Sequence, residues 1–291
     1  MPSERSRSAG PAPLVSIVTP AYNTAAFIGP TISSVRDQTF EDWELIVADD
    51  ASDDETVALV RAAADAESRV RLVTLTARTG PAGARNAGLA RARGRYVCFL
   101  DSDDLWLPGK LEAQLAFMTA TGCAVSHTGY RRMSADGQRI GRCILPPERL
   151  DYRALLRNPA IANHTSMVDT GLTGPIQIDE SGYRAHDYIL WLGLARHGFE
   201  IRGLRQDLAR YRTRAGSVSS RPLRSAYWVW RIYRDIENLD PATAARCLLA
   251  YGVRAAAKRL DRQRQASKVQ QSNDLEAQTC RTRSSAGPNH A

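Results

Sequence analysis

The strongest constraint on the fold is a rhythm in the first hundred residues. LVSIVTP (14–20), WELIVADD (43–50), VRLVTLT (70–76) and RYVCFLD (95–101) are short, nearly unbroken apolar runs, and stretches with helical spacing separate them. Apolar runs of that length suit strands buried on both faces. FIGPTISSVRDQ follows the first run, where Pro30 is acceptable as a helical residue only in the opening turn. DETVALVRAAADA follows the second, with Asp53 as the expected N-cap, and GARNAGLARAR follows the third. Strands alternating with helices predict an α/β fold: a mostly parallel central sheet, right-handed crossovers and helices on both faces.

After LPGKLEAQLAFMTATG, another helix, the rhythm changes. CAVSHTGYRRM and QRIGRCIL flank SADG, which predicts a small antiparallel section built on a hairpin. Asp151 is placed to cap the short helix YRALLR. HDYILWLGLARHG (186–198) reads as a helix stopped by Gly198, and LARYRTR as a strand. Two helices, about 222–238 and 241–261, close the ordered part, with Pro222 and Pro241 near their starts. The polar, aromatic-free ends, 1–13 and 262–291, read as disordered. The expected organisation is therefore a domain over 14–215 and a helical extension over 216–261. In that extension SAYWVWRIYRDI and LLAYGVRAAAKRL mix aromatic and basic residues. Packing onto the domain is the default for such helices, and lying peripherally on a membrane surface is the alternative.

Composition narrows the partners. The chain has 291 residues and a net charge of +8, with no basic run interleaved with aromatics, so a nucleic-acid partner is not expected. The cysteines are scattered singly, without a CxxC, which argues against a zinc site or a disulfide framework. No apolar run is long enough to span a bilayer and the N-terminus lacks the apolar core of a signal peptide, so a cytoplasmic protein is expected.

In open α/β sheets, ligands bind beyond the carboxyl ends of the strands. Three runs end there on polar residues: Thr19-Pro20-Ala21-Tyr22-Asn23, Asp49-Asp50, and Asp101-Ser102-Asp103-Asp104. Carboxylates crowded like the last group repel one another unless water or a cation stands among them. Neither GxGxxG nor GxxxxGK[ST] occurs in the expected places, which excludes dinucleotide dehydrogenases and P-loop enzymes. A nucleotide held by side chains, with a divalent cation bridging its phosphates, remains. An Asp-x-Asp at a strand end supplies ligands for such an ion.

TPAYN, VADDASDDET, GPAGARNAG, FLDSDDLWLPGKLEAQL and HDYILWLGLARHG, arriving in this order over residues 14–215, resemble family 2 of the glycosyltransferases, inverting enzymes with the GT-A fold. The resemblance implies a nucleotide-sugar donor, UDP-linked, and a hydroxyl acceptor on a glycan or lipid-linked oligosaccharide in bacterial polysaccharide or cell-envelope assembly. It places Thr19, Pro20, Ala21 and Tyr22 against the nucleotide, Asp50 on the uracil N3–H, Arg85 on the nucleotide or its diphosphate, and Asp101 with Ser102 near the ribose. Asp103 would ligate Mn²⁺ or Mg²⁺, and Asp187 would be the catalytic base. His164, His186 and Trp191 fall on the acceptor side. The chain departs from the pattern with His186 where the family has Glu, and with Arg214 where many relatives carry a histidine. Two rivals are a non-catalytic nucleotide-sugar-binding protein and a metal-dependent nucleotidyltransferase.

Overall fold

The structure is a computed structural model and describes residues 11–213 and 222–253. The predicted parallel strands form as β1 (Val15–Ala21), β2 (Trp43–Asp49), β3 (Val70–Thr74) and β4 (Tyr96–Phe99). They lie side by side in the order β3-β2-β1-β4, all parallel. The connecting helices are α1 (Ala25–Arg36), α2 (Thr56–Ala66) and α3 (Gly80–Leu89).

Beyond β4 the sheet continues through β9 (Ser166–Asp169), antiparallel to β4 and to β6 (Val125–Met133). Then come β10 (Ile201–Arg212), parallel to β6, and the two-residue β5 (Leu105–Trp106). The expected hairpin pairs β6 with β7 (Ile140–Ile144), and β8 (Arg149–Leu150) pairs with β10. Gly137 turns the hairpin with φ +76°, a conformation that suits a residue without Cβ.

Alternation along β1 sends Ile17 into one core and Val18 into the other, so both faces of the sheet are covered. One face packs Ile28, Ile32 and Val35 of α1 with Leu111 and Leu115 of α4 (Lys110–Thr121). The other packs α5 (Tyr152–Arg157), α7 (His186–Arg196) and α8 (Pro222–Arg231). A four-residue helix, α6 (Thr170–Thr173), follows β9. The chain continues from α8 through a π-helical turn, Ile232–Ile236, into a helix over 241–253, here α9. Ile232 and Tyr233 are fully buried in the same cluster as Trp191 and Phe99. No helix among the described residues is long and apolar enough to cross a membrane.

Two local expectations fail. Pro30 is the sixth residue of α1, not in its opening turn, because the helix starts at Ala25, where Asp54 accepts from the Ala25 N–H. Asp53 does not cap α2: its carboxylate accepts from Asn23 across the loop, while Asp54 takes the Thr56 N–H. Asp151 does cap α5, accepting from Ala154. Arg214, residues 254–261 and the tail 262–291 lie outside the described residues.

Candidate active site

The carboxyl ends of β2, β1 and β4 stand next to one another, which brings the three polar strand ends together. Asn23 and Ala51, just past β1 and β2, hold left-handed backbone at φ 50° and 58°. That conformation is unfavourable for an L-residue, by roughly 1–2 kcal/mol. Hydrogen bonds hold this turn: Ser52 Oγ accepts from the Asn23 N–H at 3.0 Å, and the Asp49 carboxylate takes both the Ser52 N–H and its hydroxyl.

The loop after β4 is fixed from two sides. Thr31 Oγ1 of α1 lies 3.0 Å from the Ser102 carbonyl oxygen and 2.9 Å from that of Asp104. Arg212, at the end of β10, donates through its backbone N–H to Asp104 Oδ1 and through Nε to the Asp103 carbonyl, both at 2.8 Å. Asp104 is thereby turned inward and fully buried, whereas Asp101 and Asp103 face a cavity of about 860 Å³. Arg85, Asp187, Tyr211 and Arg212 line the same cavity. Its size is in the range of small-molecule sites.

Arg85 is not the surface charge that a helical arginine is by default. It is buried, with Nη2 2.5 Å from Asp101 Oδ1 and Nη1 2.6 Å from His186 Nε2. Burial and then the Arg85 charge lower the His186 pKa, so the imidazole is neutral and accepts from the guanidinium. His186 therefore contacts Arg85 and is not among the residues lining the cavity. Burial works against the Asp101 charge, but Arg85 and His164 hold its pKa below the ordinary value.

Asp187 sits in the first turn of α7, whose N-cap is Ala185. It is no N-cap itself, and among the described residues its carboxylate makes no hydrogen bond. A carboxylate in the first turn is favoured by the helix dipole, and Asp187 lines the cavity.

The remaining expected residues divide. Asp50 accepts from the Thr79 N–H, the Thr79 hydroxyl and the Gly80 N–H at 2.6, 3.0 and 2.9 Å, fixing the start of α3. Only Oδ2 keeps an open lone pair for a further donor. Thr19 is buried with a hydroxyl that has no partner among the described residues, and the Arg78 guanidinium lies 3.7 Å from the Tyr22 ring centroid. Pro20 and Ala21 complete the end of β1, and Ala21 O accepts from the Asp50 N–H. None of Thr19, Pro20, Ala21, Tyr22 or Asp50 lines the cavity.

His164 does not face an acceptor: it is buried, its ring stacks on Tyr211, and Nδ1 lies 3.2 Å from Asp104 Oδ2. Burial lowers its pKa to about 4. Trp106 is core, donating to the His164 carbonyl. Trp191 packs edge-on against Phe99 yet also lines the cavity, and its indole N–H has no partner among the described residues.

One carboxylate oxygen each of Asp101 and Asp104 and one ring nitrogen of His164 lie within 4.8 Å of one another. Burial, and next the charges of Asp101 and Asp103, push the Asp104 pKa well above the ordinary value. Such crowding is what a divalent cation relieves, and the O,O,N donor set fits one. This inner cluster leaves out Asp103, the residue expected to hold the ion, because the Asp103 side chain lies on the cavity side.

Asp104 and Arg212 were missed from sequence. The first reads as a third member of an acidic run. The second lies two residues before Arg214, inside a strand of mixed polarity.

The profile of glycosyl transferase family 2 matches residues 16–174. The putative teichuronic acid biosynthesis glycosyltransferase TuaG of Bacillus subtilis (strain 168) is 42% identical over 248 residues, covering 85% of this chain and 98% of that protein. The UDP-Glc:alpha-D-GlcNAc-diphosphoundecaprenol beta-1,3-glucosyltransferase WfgD of Escherichia coli is 34% identical over 228 residues, covering 77% and 87%. Among solved structures, S. aureus TarS 1–349 in complex with UDP-GlcNAc aligns with a TM-score of 0.63 at 21% identity, over 81% of this chain and 71% of that one. That likeness establishes the GT-A architecture.

Proposed function

The chain belongs to glycosyl transferase family 2, and on that premise we propose that it moves a sugar, with inversion, from a UDP-linked donor to a hydroxyl of a glycan or lipid-linked acceptor in bacterial cell-envelope polysaccharide assembly. The choice of UDP rests on the donor named for WfgD and on Asp50, whose remaining Oδ2 lone pair can take a uracil N3–H. The cell-envelope setting rests on TuaG and WfgD.

In the proposed reaction Asp187 removes the proton from the acceptor hydroxyl as its oxygen bonds to the anomeric carbon. The bond from that carbon to the diphosphate oxygen breaks, and UDP leaves with the electron pair. One displacement inverts the centre. Arg85, oriented by Asp101 and neutral His186, presents a guanidinium whose fork suits phosphate oxygens. Asp103 and Asp101 would hold a divalent cation from the cavity side, and the chemistry it supplies when bound is neutralisation of the diphosphate charge.

The observation that carries this reading is that Asp101, Asp103, Arg85 and Asp187 line one cavity although they come from separate stretches of chain. Asp187→Asn tests it. Transfer is expected to fall by about 10²–10⁴, with UDP affinity by calorimetry unchanged within about twofold. Normal turnover by this variant would remove the base assignment. A thermal-shift panel of UDP-, GDP- and TDP-sugars, with and without Mn²⁺, tests the donor: stabilisation by another nucleotide and not by UDP would overturn it.

A further inference from the structure

The cavity has a second wall, formed by α8, α9 and the segment before α7. Arg224, Ser225, Trp228 and Val229 line it from α8, four residues apart in pairs and so on one helix face. Arg184 joins them from the segment before α7, whose Tyr183 ring meets Trp228 edge-on at 5.8 Å.

The chemistry of this wall is one-sided. Among the described residues, neither Arg184 nor Arg224 has a carboxylate or hydrogen-bond partner, unlike Arg85, which is neutralised by Asp101. The indole N–H groups of Trp191 and Trp228 find no acceptor either. All four are donors; Leu155, Ile161 and Val229 add apolar lining, and the carboxylates of the same cavity are Asp101, Asp103 and Asp187. Outside the cavity, α8 and α9 expose Tyr227, Leu249 and Val253, at 52%, 70% and 62%. Unpaired guanidiniums against apolar surface fit a ligand that is anionic at one point and hydrocarbon beyond it.

We infer that Arg184 and Arg224 hold the phosphates of a polyprenyl-diphosphate-linked acceptor, whose hydrocarbon chain leaves over α8 and α9. This rests on the glycosyltransferase reading above and names the acceptor class for the same cavity. The two arginines act on the acceptor alone; the donor diphosphate belongs to Arg85 and the aspartates. The charge-assisted fork they offer is the kind that recognises phosphate.

Farnesyl diphosphate, which carries both features and no sugar, is the probe. Binding to the full-length protein saturated with UDP and Mn²⁺ is followed by tryptophan fluorescence and calorimetry, with farnesol as the phosphate-free control. Wild type is expected to bind the diphosphate at least about tenfold more tightly than farnesol, a preference that the Arg184→Ala/Arg224→Ala double variant loses, while its UDP affinity stays within about twofold. Both residues are exposed, so the variant keeps its fold, and an unchanged melting temperature checks this. The inference is overturned if wild type does not prefer the diphosphate, if the double variant keeps the preference, or if it loses UDP affinity to a similar degree. Absence of UDP binding in wild type would instead sink the donor reading.

Discussion

At the scale of single residues, three aspartates within four positions adopt different roles because their neighbours differ. Asp101 is paired with Arg85, Asp104 is turned inward by Arg212 and His164, and Asp103 faces the cavity. Two placements of a cation follow, one at Asp101 and Asp103 and one at the inner Asp101, Asp104 and His164 cluster, and our proposal is the first. Asp103→Ala should weaken Mn²⁺-dependent UDP binding at least about tenfold, the worth of roughly one charge-assisted contact. His164→Ala should leave that affinity within about twofold and lower the melting temperature, since it empties a fully buried site. If His164→Ala abolishes the Mn²⁺ dependence and Asp103→Ala does not, the ion belongs to the inner cluster. The family resemblance grouped Asp101, Asp103, Arg85 and Asp187 despite their wide separation, and the four line one cavity. It missed Arg212 because the bonds that residue makes to Asp103 and Asp104 join stretches more than a hundred positions apart, which no local pattern announces.

At the scale of elements, the parallel strands were legible because their apolar runs are unbroken, while helix starts were not. Capping reads as a local preference, yet here it competes with bonds made across loops: Asp53 is drawn to Asn23, and Asp50 caps α3 from the end of another strand. The edge of the sheet opposite the rim shows the same cross-chain logic. Glu44 of β2, almost fully buried, accepts from Ser16 of β1, Arg71 of β3 and the Arg93 N–H before β4. Burial works against its charge, but the bonds from Ser16, Arg71 and Arg93 together hold its pKa below the ordinary value. A depressed carboxylate pKa contributes stability that is fully present above the unfolded pKa, about 4.3, and is lost as pH falls through the folded value. Glu44→Gln should therefore cost about 1–2 kcal/mol at neutral pH, with the gap to wild type closing below about pH 4. Melting curves across pH 3–8 check this, and a pH-independent difference would mean that packing rather than charge is responsible. Arg71 and Arg93 are about one-third exposed, so water can recover them in the variant and limit the loss.

At the scale of the whole molecule, the open question is whether the C-terminal helices are an attachment or part of the fold. The sequence marked a boundary near residue 215 and favoured packing over membrane contact, on the general behaviour of an apolar helix stripe. What it could not reveal is how deep the packing goes. Tyr233 bonds the Leu156 carbonyl of α5 and lies 3.3 Å from the Tyr188 hydroxyl of α7, while Tyr152 of α5 donates to Glu237 at 2.6 Å. Val229, Ile232, Tyr233, Ala244 and Cys247 share a core with β4 and α7. Each large apolar side chain removed from such a core forfeits roughly 1.5–3 kcal/mol, and a domain has only about 5–15 kcal/mol to lose. We therefore expect a chain ending at residue 221 to lose cooperative thermal unfolding and to bind an apolar dye. The β1–β4 core with α1, α2 and α4 closes without these helices, so any folded fraction should still bind UDP while failing to bind farnesyl diphosphate. A truncated chain that melts cooperatively at the full-length temperature would show the helices to be an appendage, and their wall of the cavity would then be a surface feature rather than a product of the fold.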